Sequence, residues 1–101
     1  MSVADSDPVI RQFRDQIGDN DLKIIEALNK RLKLVSQLRR YKQEQGIDFI
    51  DPEREQWMLT YLSRANKGPL SPDGLQEIYL HILSLTKDEI ARREGEPATR
   101  A

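Results

Sequence analysis

Read with a period of seven, the stretch from Ile10 to Lys42 gives two lines of inward-facing positions. One line is Ile10, Ile17, Ile24, Arg31 and Leu38; its companion is Arg14, Asp21, Leu28, Val35 and Lys42. Most of these are the aliphatic residues a packed seam needs. Arg14, Asp21, Arg31 and Lys42 break the pattern, and three of the four are cations. Charge on an inward face is costly unless it is paired or bound to a ligand, so this seam is built to attract an anion. Arg31 and Lys42 fall within about 20° of one another around a helix and about 16 Å apart along it, close enough for two long side chains to grip one small anionic molecule. Arg14 lies about 25 Å from Arg31 and is turned by about 100°, so it joins such a ligand only from a second, antiparallel copy. An Arg or Lys at a seam edge can also snorkel outward and bind nothing. The conjunction of three cations in otherwise regular lines favours the ligand. Asp21 reads as a structural partner for a nearby cation.

A second charged cluster, Asp51-Pro52-Glu53-Arg54-Glu55, has a structural explanation at hand, because acids in a first helical turn suit the helix dipole. Glu55 is its candidate for chemistry. His81 stands among apolar neighbours and reads as structural. Trp57 and Tyr61, at i and i+4, read as a packing pair rather than a stacking platform.

The elements that must position these residues are helices. Gly and Pro gather at Pro8, between Gly46 and Pro52, between Gly68 and Gly74, and from Gly95 onward. Between them no alternating strand pattern, repeat or low-complexity tract interrupts. The first helix starts with Ser6 or Asp7 as its cap and Pro8 in the first turn, and runs to Gln45 with Gly46 as its stop. Gly18 is its one weak interior position. The second starts at Asp51-Pro52-Glu53 and stops near Asn66. The third starts at Ser71-Pro72-Asp73 and carries Leu75, Ile78, Tyr79, Ile82, Leu83, Leu85 and Ile90. The expected division is a flexible N-terminus over 1–7, one helical domain over 8–93 and a flexible polar tail over 94–101.

Composition bounds the function. The chain has 101 residues, 38% hydrophobic and 33% charged, with 16 Lys+Arg against 17 Asp+Glu and a formal net charge of -1. That balance speaks against a nucleic-acid binder that works through a basic face. With no cysteine and one histidine, disulfides, thiol catalysis, Cys-ligated zinc and His-based triads are excluded. No apolar run of about 18 residues and no signal peptide is present, so the chain reads as cytoplasmic, with no membrane partner. The core is thin for a chain of this size. A helix over 8–45 is about 57 Å long at 1.5 Å per residue, against a radius of gyration of about 13 Å for a compact domain of about 100 residues. Its stripe needs a cover, and a second copy is the simplest one. The fold class is therefore all-α: a three-helix chain with a very long first helix, paired as an elongated, intertwined homodimer.

The run Arg14-x-x-Ile17-x-x-x-Asp21, then Leu28-x-x-Arg31, then Lys42, then Asp51-Pro-x-Arg54-Glu55, resembles the all-helical chorismate mutases of the shikimate pathway, over residues 9 to about 90. The resemblance implies rearrangement of chorismate to prephenate, on the way to phenylalanine and tyrosine, in active sites shared across a homodimer. It implies no cofactor and no metal. The reaction asks only that a dicarboxylate be held in a reactive conformer and that charge on the breaking ether oxygen meet a preorganised donor. Carried over, Arg14 of the second copy and Arg31 bind the carboxylates. Lys42 donates to the ether oxygen and touches a carboxylate. Glu55 accepts from the ring hydroxyl, Asp51 and Arg54 shape that wall, and Thr86 takes the place of a substrate-contacting Ser. Lys42, Glu55 and Arg31 are the catalytic candidates.

One position departs from the pattern. Where the family usually carries Gln or Glu as a second donor to the ether oxygen, this chain has Ile90. Either Glu89 or Lys87 substitutes, or the site lacks one donor, which costs ~10²–10³ in rate. That leaves two further readings. One is a non-catalytic or partner-activated module that binds chorismate-like dicarboxylates, as in family members that associate with another shikimate-pathway enzyme. The other is an isochorismate pyruvate lyase with nearly the same cationic pocket.

Overall fold

Each helix starts where a short polar side chain meets a proline. The Asp7 carboxylate accepts from the backbone N–H groups of Val9, at 2.8 Å, and Ile10, at 3.3 Å. Of the two candidate caps, Asp7 therefore does the work, and Pro8 follows in the first turn, where its missing N–H costs nothing. Asp51 Oδ1 accepts from Arg54 N at 3.1 Å ahead of Pro52, and Ser71 Oγ accepts from Gly74 N at 3.0 Å ahead of Pro72. The helices that result are α1 (Pro8–Gln45), α2 (Pro52–Ala65) and α3 (Pro72–Arg93).

The computed structural model describes residues 3–93. Val3–Ser6, read from the sequence as part of a flexible lead, form a single 3-10 turn before α1. The polar tail expected over 94–101 lies outside the described residues. Among the described residues there is no strand, and no helix is long and apolar enough to cross a membrane.

The stop of α1 is also local. Gly46 takes φ 68°, Ile47 N donates to Lys42 O at 2.8 Å, and Gly46 N donates to Gln43 O at 3.3 Å. This is a left-handed glycine closing the last turn with a paired set of reversed hydrogen bonds. It turns the chain into the short connection that leads to α2. Between α2 and α3, Asn66 closes α2 by donating its backbone N–H to Leu62 O. Its side chain then ties the connection, donating to Leu70 O and accepting from Gly68 N, around a cis Gly68–Pro69 bond.

The chain divides into two units between Lys33 and Leu34. The first holds the N-terminal part of α1. Of its large apolar side chains, Val9, Phe13, Ile17, Leu22, Ile24, Ile25 and Leu28 are exposed and Ile10 and Leu32 half-buried. The second holds the end of α1 with α2 and α3, and there α2 packs on α3. Its buried side chains are Ser36 from α1 and Thr86, Ile90 and Ala91 from α3. Thr86 and Ile90 are four apart, so one face of α3 turns inward. Thr86 keeps its hydroxyl satisfied by donating to Ile82 O at 2.6 Å.

Candidate functional site

The first unit carries Arg14 and Arg31 on α1, Arg14 exposed and Arg31 half-buried. The second unit carries the remaining candidates, Lys42, Asp51, Arg54, Glu55 and Thr86. Within it the structure shows how they are held.

Lys42 is half-buried in the last turn of α1, and its Nζ donates to Phe49 O at 3.3 Å. Three residues earlier on the same helix face, the Arg39 guanidinium lies 5.4 Å from the centre of the Phe49 ring. Two cations thus hold the 47–50 connection, one by its carbonyl and one by its ring. That connection leads directly into Asp51, so the end of α1 sets where α2 begins.

Just ahead of α2, Asp51 is occupied as its cap, its carboxylate oxygen accepting from Arg54 N. The Arg54 side chain lies over the exposed ring of Trp57, 4.3 Å from its centre. Trp57 in turn stacks on Tyr61 with centroids 5.1 Å apart and planes 6° from parallel. The two rings pack on each other as their i, i+4 spacing suggested, and both are exposed.

Glu55 is half-buried and points toward α3, where Lys87 Nζ stands 3.0 Å from its Oε1. Thr86, next to Lys87, is buried with its hydroxyl on its own helix. Ile90 is fully buried. Glu89 pairs with Arg92 on the same helix. Of the two residues that could stand in for a donor at position 90, only Lys87 is directed across to α2. Lys87 also lines a cavity of about 420 Å³ together with Arg39, Asp48, Phe49, Ile50 and Ala91.

The structure therefore brings Glu55 against Lys87, and Lys42 and Arg39 against the 47–50 segment. Sequence reasoning missed Arg39, although its spacing from Lys42 placed both on one face. The Glu55–Lys87 pairing was missed as well, because only the packing of α2 on α3 creates it.

A family model for chorismate mutase type II matches residues 13–90. The chain belongs to that family. The matched stretch includes every chorismate mutase candidate named above, from Arg14 to Thr86, and ends on Ile90. Among similar proteins, the bifunctional chorismate mutase/prephenate dehydratase of Pseudomonas aeruginosa is 29% identical over 87 residues, covering 81% of this chain and 24% of that protein. The T-protein of Haemophilus influenzae is 33% identical over 70 residues, covering 68% of this chain and 19% of that protein. This chain thus spans about a quarter or less of the length of these curated relatives. It covers nearly the whole length of two solved structures. Chorismate mutase (form II) from Thermus thermophilus aligns with a TM-score of 0.77 at 29% identity, covering 82% of this chain and 94% of that one. Form I from the same organism aligns with a TM-score of 0.74 at 28% identity, covering 76% of this chain and 96% of that one.

Proposed function

We propose that this chain is a chorismate mutase that rearranges chorismate to prephenate in the cytoplasm, working as a homodimer with shared active sites. The observation that carries the reading is the family match over residues 13–90, which takes in the three seam cations together with Glu55. The reaction is an intramolecular shift in which one C–O bond breaks and one C–C bond forms. It needs no nucleophile, so the protein's part is to hold a conformer and to meet developing charge.

Arg31, with Arg14 from the second copy, grips the two carboxylates as planar forks. Lys42 donates to the ether oxygen as that oxygen takes up negative charge. Its tie to Phe49 O keeps the ammonium near one place before substrate arrives. Glu55 accepts from the ring hydroxyl, with Arg54 beside it on α2 and Asp51 at that helix's cap, and Thr86 adds a polar contact from α3. The second copy is supported by the exposed stripe on α1, which one chain leaves in water.

A second reading rests on Ile90. Isoleucine carries no side-chain donor, and its complete burial makes the position part of the core, which favours an enzyme that is weak alone and is raised by a partner from the same pathway. Following the loss of chorismate absorbance with purified protein, alone and with that partner, tests both readings. Turnover by the chain alone supports the first, and turnover only with the partner supports the second. No turnover in either case, or consumption of isochorismate in preference to chorismate, rejects the mutase assignment.

A further inference from the structure

Lys87 has no part in the proposed chemistry, yet it reaches the α2 wall from α3. Its Nζ lies 3.0 Å from Glu55 Oε1, with the two side chains 42% and 30% exposed. A pair this open contributes little to stability, because solvent screens it and two long side chains must be ordered to make it. Its geometry is more informative than its energy. Glu55 has two carboxylate oxygens and acceptor capacity for several donors. Lys87 stands on Oε1, and the second oxygen of a carboxylate can accept from another donor. Among the neighbours of Lys87 on α3, Thr86 donates to Ile82 O, Glu89 pairs with Arg92, and Ile90 is buried. The Lys87 side chain also lines the cavity of about 420 Å³ bounded by Phe49 and Ile50, beside the backbone carbonyl that holds Lys42.

From this arrangement we infer that Lys87 is a positioning residue for Glu55. It fixes one oxygen of the carboxylate so that the other is aimed to accept a hydrogen bond from the hydroxyl of a bound dicarboxylate substrate. The inference rests on the chorismate mutase reading and on the role given there to Glu55. Fixing the acceptor in advance removes the ordering that a free Glu side chain would undergo on binding. The effect belongs to substrate engagement, so it is read mainly in KM.

The test is steady-state kinetics on chorismate with Lys87→Met, Lys87→Arg, Glu55→Gln and the double variant Lys87→Met/Glu55→Gln, with thermal melts of each. Lys87→Met should lower kcat/KM about tenfold, the size expected for losing a charge-assisted hydrogen bond that orients a binding group, mostly through KM and with little change in melting. Lys87→Arg should recover most of that loss. In the Glu55→Gln background, Lys87→Met should have almost no further effect, because the two residues act as a unit. An active wild type whose Lys87→Met variant keeps its KM, is not rescued by Arg, or loses activity additively with Glu55→Gln overturns the inference and leaves the mutase reading intact. A wild type without turnover overturns both.

Discussion

If a second copy covers α1, one substitution on its stripe should split the dimer without unfolding the chain. Ile17 suits the purpose because it lies on the seam, far in sequence from α2 and α3. Fully burying an isoleucine is worth about 1.5–3 kcal/mol, and Ile17 is 60% exposed, so about 1–2 kcal/mol remains to be gained in each copy. A twofold interface contains the residue twice, so Ile17→Asp removes about 2–4 kcal/mol before any cost of setting a carboxylate against an apolar surface is counted. At about 1.4 kcal/mol per tenfold, the dissociation constant should rise between roughly thirtyfold and several hundredfold. Sedimentation velocity over a dilution series measures this directly, with circular dichroism on the same samples to follow helix content. Catalytic activity should fall in step with the dimer fraction, because Arg14 then no longer reaches the other copy's site. A variant that sediments like the wild type at every concentration refutes the assignment of the α1 stripe to the interface. A wild type that is monomeric throughout refutes the dimer itself.

Two further outcomes are expected. Lys42→Ala should lower the rate on chorismate ~10²–10³-fold, the usual loss when a donor to developing oxyanion charge is removed; activity within tenfold of wild type in a folded dimer removes Lys42 from the mechanism. Ile90→Ala should destabilise the fold by about 2–5 kcal/mol through the cavity it opens, seen as a lower melting temperature at fixed protein concentration, whereas an unchanged melt shows that Ile90 is not a core residue.

The helices were legible because their punctuation is local. Asp7-Pro8, Asp51-Pro52 and Ser71-Pro72 start them with the same chemistry, and Gly46 ends α1 with a backbone angle that a side chain would oppose. What depends on how helices approach was hidden. The sequence put Val35 on the inward seam, yet Ser36 is the buried residue and Val35 is half-buried. Ser36 and Arg39 share a face of α1, and Arg39 lines the same cavity as Ala91 of α3. That flank is served within the chain, while the neighbouring seam residue Leu38 stays exposed. The Glu55–Lys87 pair has the same origin, since neither residue's local sequence announces the other. Arg54 shows the converse. Its place in the motif was plain, but its resting contact with Trp57 follows from their spacing on α2, three residues apart on one face.

That contact equips the protein with its own optical probe. The chain has a single tryptophan, so all indole emission comes from Trp57, a ring touched by Arg54 and stacked on Tyr61. Any molecule that draws the Arg54 guanidinium away changes the polarity around that one fluorophore. Occupancy of the α2 wall can therefore be titrated by intrinsic fluorescence, without a label and without chemical conversion, including with compounds the protein holds but does not transform.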